Sequence, residues 1–202
     1  MALKEAEANL RDKVPWHLIH ALRVTSHIPA EYIYLPDLSA ALLRSNERSR
    51  VPLLLDTTAE RSVDTFLAYQ RTQAVDMPQL TASARTVEEI REVLRAKLVS
   101  CMKNGDMLLL KFKDSFPDML GKFCSDDTFP TAVFSYGEVS TMESMARLFR
   151  EEEKDHGVCV CRDGFRVVLT SWRPVVSFAS DLRACVPLHK LAVFAVELEE
   201  GL

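Results

Sequence analysis

Glycine is scarce in this chain, with 6 in 202 positions and none between Val51 and Lys103. That gap excludes a working phosphate loop from the stretch whose layout otherwise suits one. Such a loop needs glycines so that backbone N–H groups can close around phosphate oxygens, a Lys for the β/γ charge and a Ser or Thr for Mg²⁺. Cationic charge is also short: 25 Lys and Arg stand against 29 Asp and Glu, a net charge of −4. No dominant positive field exists to hold nucleic acid or anionic lipid, so neither is an expected partner. No segment approaches the roughly 18 to 20 apolar residues of a membrane span. Residues 1–7 carry acids where a signal or transit peptide would carry bases. Five cysteines, an odd number without framework spacing, suggest reduced thiols in a cytoplasmic protein.

What is present is an ordinary globular balance, 48% apolar and 27% charged, long enough for one domain with an extension. Residues 1–36 read as an N-terminal arm. Leu10, Val14, Leu18, Ile19 and Leu22 lie at helical spacing, broken or kinked at Pro15. Residues 28–36 are proline-punctuated and aromatic (Tyr32, Tyr34), an extended docking segment. Asp37 is placed to cap a helix over 38–46. Residues 51–55 then form an apolar strand, 56–60 a polar turn and 61–70 a helix. This is the layout of a phosphate loop without its chemistry, because Asp56 and Glu60 would repel a triphosphate and no Lys follows them.

Strand and helix alternate from there. A short strand around Ala74 and Val75 ends at Asp76 and Pro78. Thr86 to Glu89 is a capping box opening an amphipathic helix, with Ile90, Leu94 and Leu98 on one face and Gly105 as its stop. The apolar run 107–110 is the pattern of a parallel strand buried on both faces. Residues 131–134 read as a short strand and 139–152 as a helix. Residues 158–161 and 165–169 read as a hairpin about Asp163-Gly164, a pair that favours a type I′ turn. A helix over 178–185 and a strand over 191–196 complete the pattern. The alternation predicts an α/β fold with a largely parallel sheet over 37–202.

Three blocks carry a resemblance. Leu35-Pro36-Asp37-Leu38-Ser39 with Arg50-Val51-Pro52-Leu53-Leu54-Leu55-Asp56, then 89–114 with Leu108-Leu109-Leu110, then 165–170 through 191–202, resemble in order and spacing the fifth AAA+ module of dynein heavy chains. The likeness covers roughly residues 35–202. It implies a three-layer, P-loop NTPase-like parallel sheet flanked by helices, with a helical and extended arm before it. The chain departs from the family pattern at Thr57-Thr58, where the family has Pro-Gln, and at Ser171-Trp172-Arg173-Pro174, where it has Thr-Lys-Leu-Pro. The linker, active first phosphate loop, stalk and microtubule-binding tip of the motor have no counterpart. Since that module is itself a non-hydrolysing segment, the resemblance implies a scaffold piece: a structural protein of the ciliary or flagellar axoneme, partnered by tubulin, doublet microtubules or other axonemal proteins. A regulatory nucleotide-binding module and a cytoplasmic adaptor for dynein assembly are the alternatives.

The chemistry agrees with that expectation. A hydrolysing site also needs an Asp-Glu pair at the end of its second buried strand, whereas this chain has Lys111-Phe112-Lys113-Asp114. Arg150, Arg166 and Arg173 are sensor or finger candidates, read here as surface ion pairs or partner contacts. Cys159 and Cys161, beside His156, would face opposite ways on a strand, so a zinc site is not expected. His17 and His20 share a helical face without a third ligand. Glu151-Glu152-Glu153 reads as a solvated helix end. Trp16, Tyr32, Tyr34 and Trp172 are core plugs or partner anchors. No catalytic, cofactor-binding or metal-ligating residue is assigned.

Overall fold

Four runs of uninterrupted apolar residues demand cover on both sides, and they become the centre of one sheet. The computed structural model describes residues 29–115 and 117–198. The helical lead-in read at 1–26, with Trp16, His17 and His20, lies outside them. Among the described residues six strands form the sheet: β1 (Glu31–Tyr34), β2 (Val51–Asp56), β3 (Thr72–Asp76), β4 (Met107–Lys113), β5 (Arg166–Ser171) and β6 (Leu191–Glu197). Their spatial order is β1-β6-β2-β5-β4-β3, and every pairing is parallel. The helices are α1 (Leu38–Glu47), α2 (Ser62–Ala68), α3 (Met77–Thr81), α4 (Val87–Asn104), α5 (Met142–Leu148) and α6 (Phe178–Leu182).

Right-handed crossovers decide which helix covers which face. The connections from β1 to β2 and from β2 to β3 travel one way across the sheet, and those from β3 to β4, β4 to β5 and β5 to β6 travel the other. The first two must therefore share a face and the last three must share the opposite one. The core divides accordingly. Leu38, Leu42, Val63 and Leu67 of α1 and α2 pack with Leu54, Leu109, Val168 and Phe194. Ile90, Leu94, Leu98, Met145, Phe178 and Leu182 pack with Leu53, Leu55, Leu108, Leu110, Leu169 and Val193. Three layers result, an α/β fold as expected. Residues 31–34 of the expected extended segment form the edge strand β1, in register with Phe194–Glu197.

Local chemistry sets several boundaries. The capping box of α4 is complete: Thr86 Oγ1 accepts the Glu89 N–H at 3.2 Å and Glu89 Oε2 accepts the Thr86 N–H at 2.7 Å. Gly105 ends the helix at φ 68°, and a Cβ there would run into the Asp163 carbonyl. Asp37 does not cap α1 through its side chain. Its ψ of 1° continues the preceding 3₁₀ turn, Leu35–Asp37, instead of adopting the extended conformation an N-cap needs. Helix α2 starts one residue later than predicted because Arg61 sits in the left-handed region at φ 56°, and it ends at Ala68.

The expected strand at 131–134 is a 3₁₀ turn. Pro130 pre-sets its start, and Val133 and Phe134 are both buried, which the alternation of a one-sided strand forbids. The predicted helix over 139–152 is only Met142–Leu148, because Phe149 turns extended into the core and a separate 3₁₀ turn, Glu151–Glu153, follows. No hairpin forms about Asp163-Gly164. Only Gly164 of that pair has positive φ, and β5 is paired on both edges, by β2 and β4, so no edge is left for an antiparallel partner. The tight antiparallel bridge lies nearby at Asp155↔Val158, with His156 at φ 50° and Gly157 at φ 81°.

Arg95 fastens this irregular region to α4. Its side chain is 4% exposed, pairs with Glu153 at 2.6 Å and Glu92 at 2.7 Å, and donates to the Leu148 carbonyl at 2.7 Å. The acidic run is therefore not uniformly solvated: Glu153 is the half-buried member that holds the clamp. The hydrogen bonds from Arg95 hold the Glu153 and Glu92 carboxyls below their usual range, against the opposing effect of burial in Glu153. Replacing Arg95 with Ala is expected to cost about 2–3 kcal/mol, because it strips a buried pair of one partner while the remaining acids retain some solvent. The two lowered carboxyls contribute stability above their unfolded values and lose it as pH falls through the folded ones. Urea titrations of wild type and Arg95→Ala should thus converge toward acid pH. A gap that stays constant with pH would show that the clamp is not ionic.

Candidate functional site at the carboxyl edge of the sheet

In an open α/β sheet, ligands enter the crevice at the carboxyl ends of two adjacent strands whose connections leave to opposite faces. Here those strands are β2, which feeds α2, and β5, which feeds α6. The residues at the crevice are therefore the 56–61 turn and Ser171-Trp172-Arg173, flanked by Lys111 and Lys113 of β4 and Asp76 of β3.

The turn is filled by its own carboxylate. Asp56 Oδ1 accepts the Thr58 N–H at 3.0 Å and the Thr58 hydroxyl at 2.6 Å, and Oδ2 accepts the Val63 N–H at 3.2 Å. Thr58 Oγ1 in turn accepts the Ser62 N–H at 2.9 Å. The amides a phosphate would need at the start of α2 are thus already bonded, and an entering anion would meet Asp56. Asp56 is 1% exposed, and burial pushes its carboxyl above the usual range despite those donors. Arg61 Nη1 folds back onto the Asp56 carbonyl at 2.9 Å, and the Thr57 hydroxyl donates to the Val196 carbonyl at 2.7 Å.

Trp172 follows β5 at the same crevice. Arg61 lies over its ring at 5.0 Å and Lys113 at 5.6 Å, within reach of cation–π attraction. Both cationic residues have left-handed backbones, Arg61 at φ 56° and Lys113 at φ 54°. Such strain in non-glycine residues costs of order 1 kcal/mol each and persists only where the surroundings fix it. The surroundings do so here. The Lys113 carbonyl accepts the Trp172 N–H at 2.9 Å and the Ser171 hydroxyl at 3.0 Å, across a bulge between Lys111 and Lys113. Lys113 also pairs with Asp76, and Lys111 with Asp64 at 3.3 Å. The result is an indole approached by two cations, with each lysine answered by an acid.

The other candidates fall elsewhere. Asp114 is exposed past the end of β4. Arg150 makes an exposed pair with Glu92 at 3.2 Å, and Arg173 pairs with Asp181 at 3.8 Å. Arg166 bonds the Gln70 amide at 2.9 Å at the opposite end of the sheet. Cys159 and Cys161 do not sit on a strand, and both pack half-buried against the core. Burial pushes the Cys101 and Cys124 thiols up to about 12 and those of Cys161 and Cys185 upward, which suppresses thiolate chemistry. Tyr32 and Tyr34 are half-buried on β1. Among the described residues no group of three His, Cys, Asp or Glu is placed to hold a metal ion, and no helix is long and apolar enough to cross a membrane. The parts that sequence reasoning missed are Arg61 and Lys113 as jaws about Trp172. Their one sequence signal is a tryptophan directly after a buried strand.

Compared with known proteins, this chain is matched by no family model, no curated protein and no solved structure.

Removing the internal anion tests this arrangement. Asp56→Ala leaves the Thr58 and Val63 amides without their acceptor and should cost about 2 kcal/mol in chemical denaturation. Asp56→Asn keeps one acceptor oxygen and no charge. A carboxyl raised by burial contributes stability at pH below its unfolded value and loses it as pH rises through the folded value. Wild type should therefore lose ground to Asp56→Asn as pH rises from acid toward neutral. The opposite trend would mean that the ionised form is favoured in the fold.

Proposed function

We propose that this protein is a non-catalytic scaffold of the ciliary or flagellar axoneme, in which an AAA+-like α/β body serves as a binding block for microtubule- or dynein-associated proteins. The observation that carries the reading is the Asp56 carboxylate bonded to the Thr58 and Val63 amides, where a nucleotide-binding relative would seat phosphate. Three further features support it. The sheet is parallel throughout, with the 56–61 turn at its switch point, the layout that the dynein-module resemblance implies. The position that would carry a metal-holding acid, after the apolar run 107–110 of β4, is Lys111, engaged with Asp64. At the crevice that would admit a base stands Trp172, with Arg61 and Lys113 over its ring. A block of this kind binds through surface and shape, so its partners are proteins, tubulin or axonemal components among them.

Two measurements test the proposal and its alternatives. Calorimetry of the purified chain with Mg-ATP is expected to give no saturable heat at millimolar nucleotide, and micromolar binding would favour a regulatory nucleotide-binding module instead. A tagged copy is expected to remain with detergent- and salt-stripped axonemes. Release into the detergent-soluble fraction together with dynein precursors would favour a cytoplasmic assembly adaptor and remove the axonemal reading.

A further inference from the structure

Among the described strands β3 is an edge of the sheet, paired only with β4. The Met107 N–H donates to the Arg71 carbonyl at 2.8 Å, so the backbone groups of Gln73 and Val75 also face β4, and alternation turns those of Thr72 and Ala74 outward. Among the described residues no hydrogen bond occupies these outward groups. Natural proteins blunt such edges with Lys, Pro or a bulge. From Thr72 to Val75 there is neither Lys nor Pro, the register with β4 is unbroken, and the exposed Ala74 offers no bulk or charge.

Beside this edge an open groove of about 610 Å³ lies between β3, α3 and α4. Val75, Leu80 and Val93 give it apolar walls, and its charged members balance, Asp76 and Glu89 against Arg85 and Lys97. On α4 the residues that line it are Glu89, Val93 and Lys97, spaced by four, so one stripe reads acid, apolar, base along the helix. A partner of one dominant charge would meet as much repulsion as attraction there. A copy of the same stripe, turned antiparallel, sets Lys97 against Glu89 on both sides of a central pair of Val93 side chains.

We propose that the β3 edge and the Glu89–Val93–Lys97 stripe form a two-fold interface with a second copy of this chain. A two-fold axis normal to the sheet makes the β3 strands antiparallel, so the free edge of each supplies donors and acceptors for the other. The same axis lays the two α4 helices alongside with opposed directions, as an isologous contact requires. The interface does not depend on the scaffold reading.

Sedimentation equilibrium of the full chain, from micromolar to hundreds of micromolar, reads the association, and hydrogen exchange at the Thr72 and Ala74 amides reads the edge. A monomer–dimer equilibrium is expected, with both amides exchanging more slowly as concentration rises. Ala74→Pro removes only an outward N–H and should weaken the dimer about tenfold or more. Lys97→Glu should weaken it about as much by setting two acids face to face, and Glu89→Lys combined with Lys97→Glu should restore it. If Ala74→Pro or the double variant does not fold, the exposed-edge exchange and Lys97→Glu decide. A chain that stays monomeric throughout, or a dimer indifferent to either single variant, would overturn the proposal. So would a folded double variant that associates no better than Lys97→Glu. Edge amides protected equally at every concentration would overturn it too, by placing another segment of this chain on β3.

Discussion

Parallel strands impose one rule on this molecule: every connection must leave at the carboxyl end, return along a face and re-enter at the amino end. Because such crossovers are right-handed, direction of travel across the sheet fixes the face. Two connections go one way and three go the other, so among the described residues α1 and α2 cover one face while α3, α4, α5 and α6 share the second. The same rule puts β2 and β5 side by side with their exits opposed. Among the described strands, the crevice that the topology opens at the centre of the sheet is therefore the one that the 56–61 turn and Trp172 occupy.

The cations at that crevice sit on strained backbone. Arg61 and Lys113 both adopt left-handed conformations and both reach the Trp172 ring. A glycine at either position would relax the backbone and lose the cation. The absence of glycine from this stretch and the self-satisfied Asp56 turn are two views of one solution: side chains bond the amides that a glycine-rich loop would leave open to a ligand.

Legibility in the sequence follows the range of the interactions involved. Helix α4 was readable because Thr86, Glu89 and Gly105 act within four residues of the ends they define. The buried strands were readable because cover on both faces leaves an unbroken apolar run. The 131–165 region was not, since its 3₁₀ turns are set by Pro130, Phe149 and a bond from Arg95 to Glu153 across 58 positions. The hairpin expectation failed for a related reason. An Asp-Gly turn signal is local, whereas the edges of β5 were already claimed by strands far away in sequence. At the candidate site the missing acids and glycines were legible as chemistry that is not there. The Arg61–Trp172–Lys113 stack, built from three separate segments, left only a lone tryptophan to read.

Cations at the strand ends are not all answered alike. At the carboxyl end Lys111 meets Asp64 and Lys113 meets Asp76, so each ammonium ion is answered within the fold. At the amino end Arg166 opens β5 against a neutral glutamine, and burial lowers its pKa with no opposite charge to offset it. An apolar residue of similar length would cover the same surface without desolvating a charge. What the arginine adds there is the hydrogen bond to Gln70, which ties the first residue of β5 to the turn after α2.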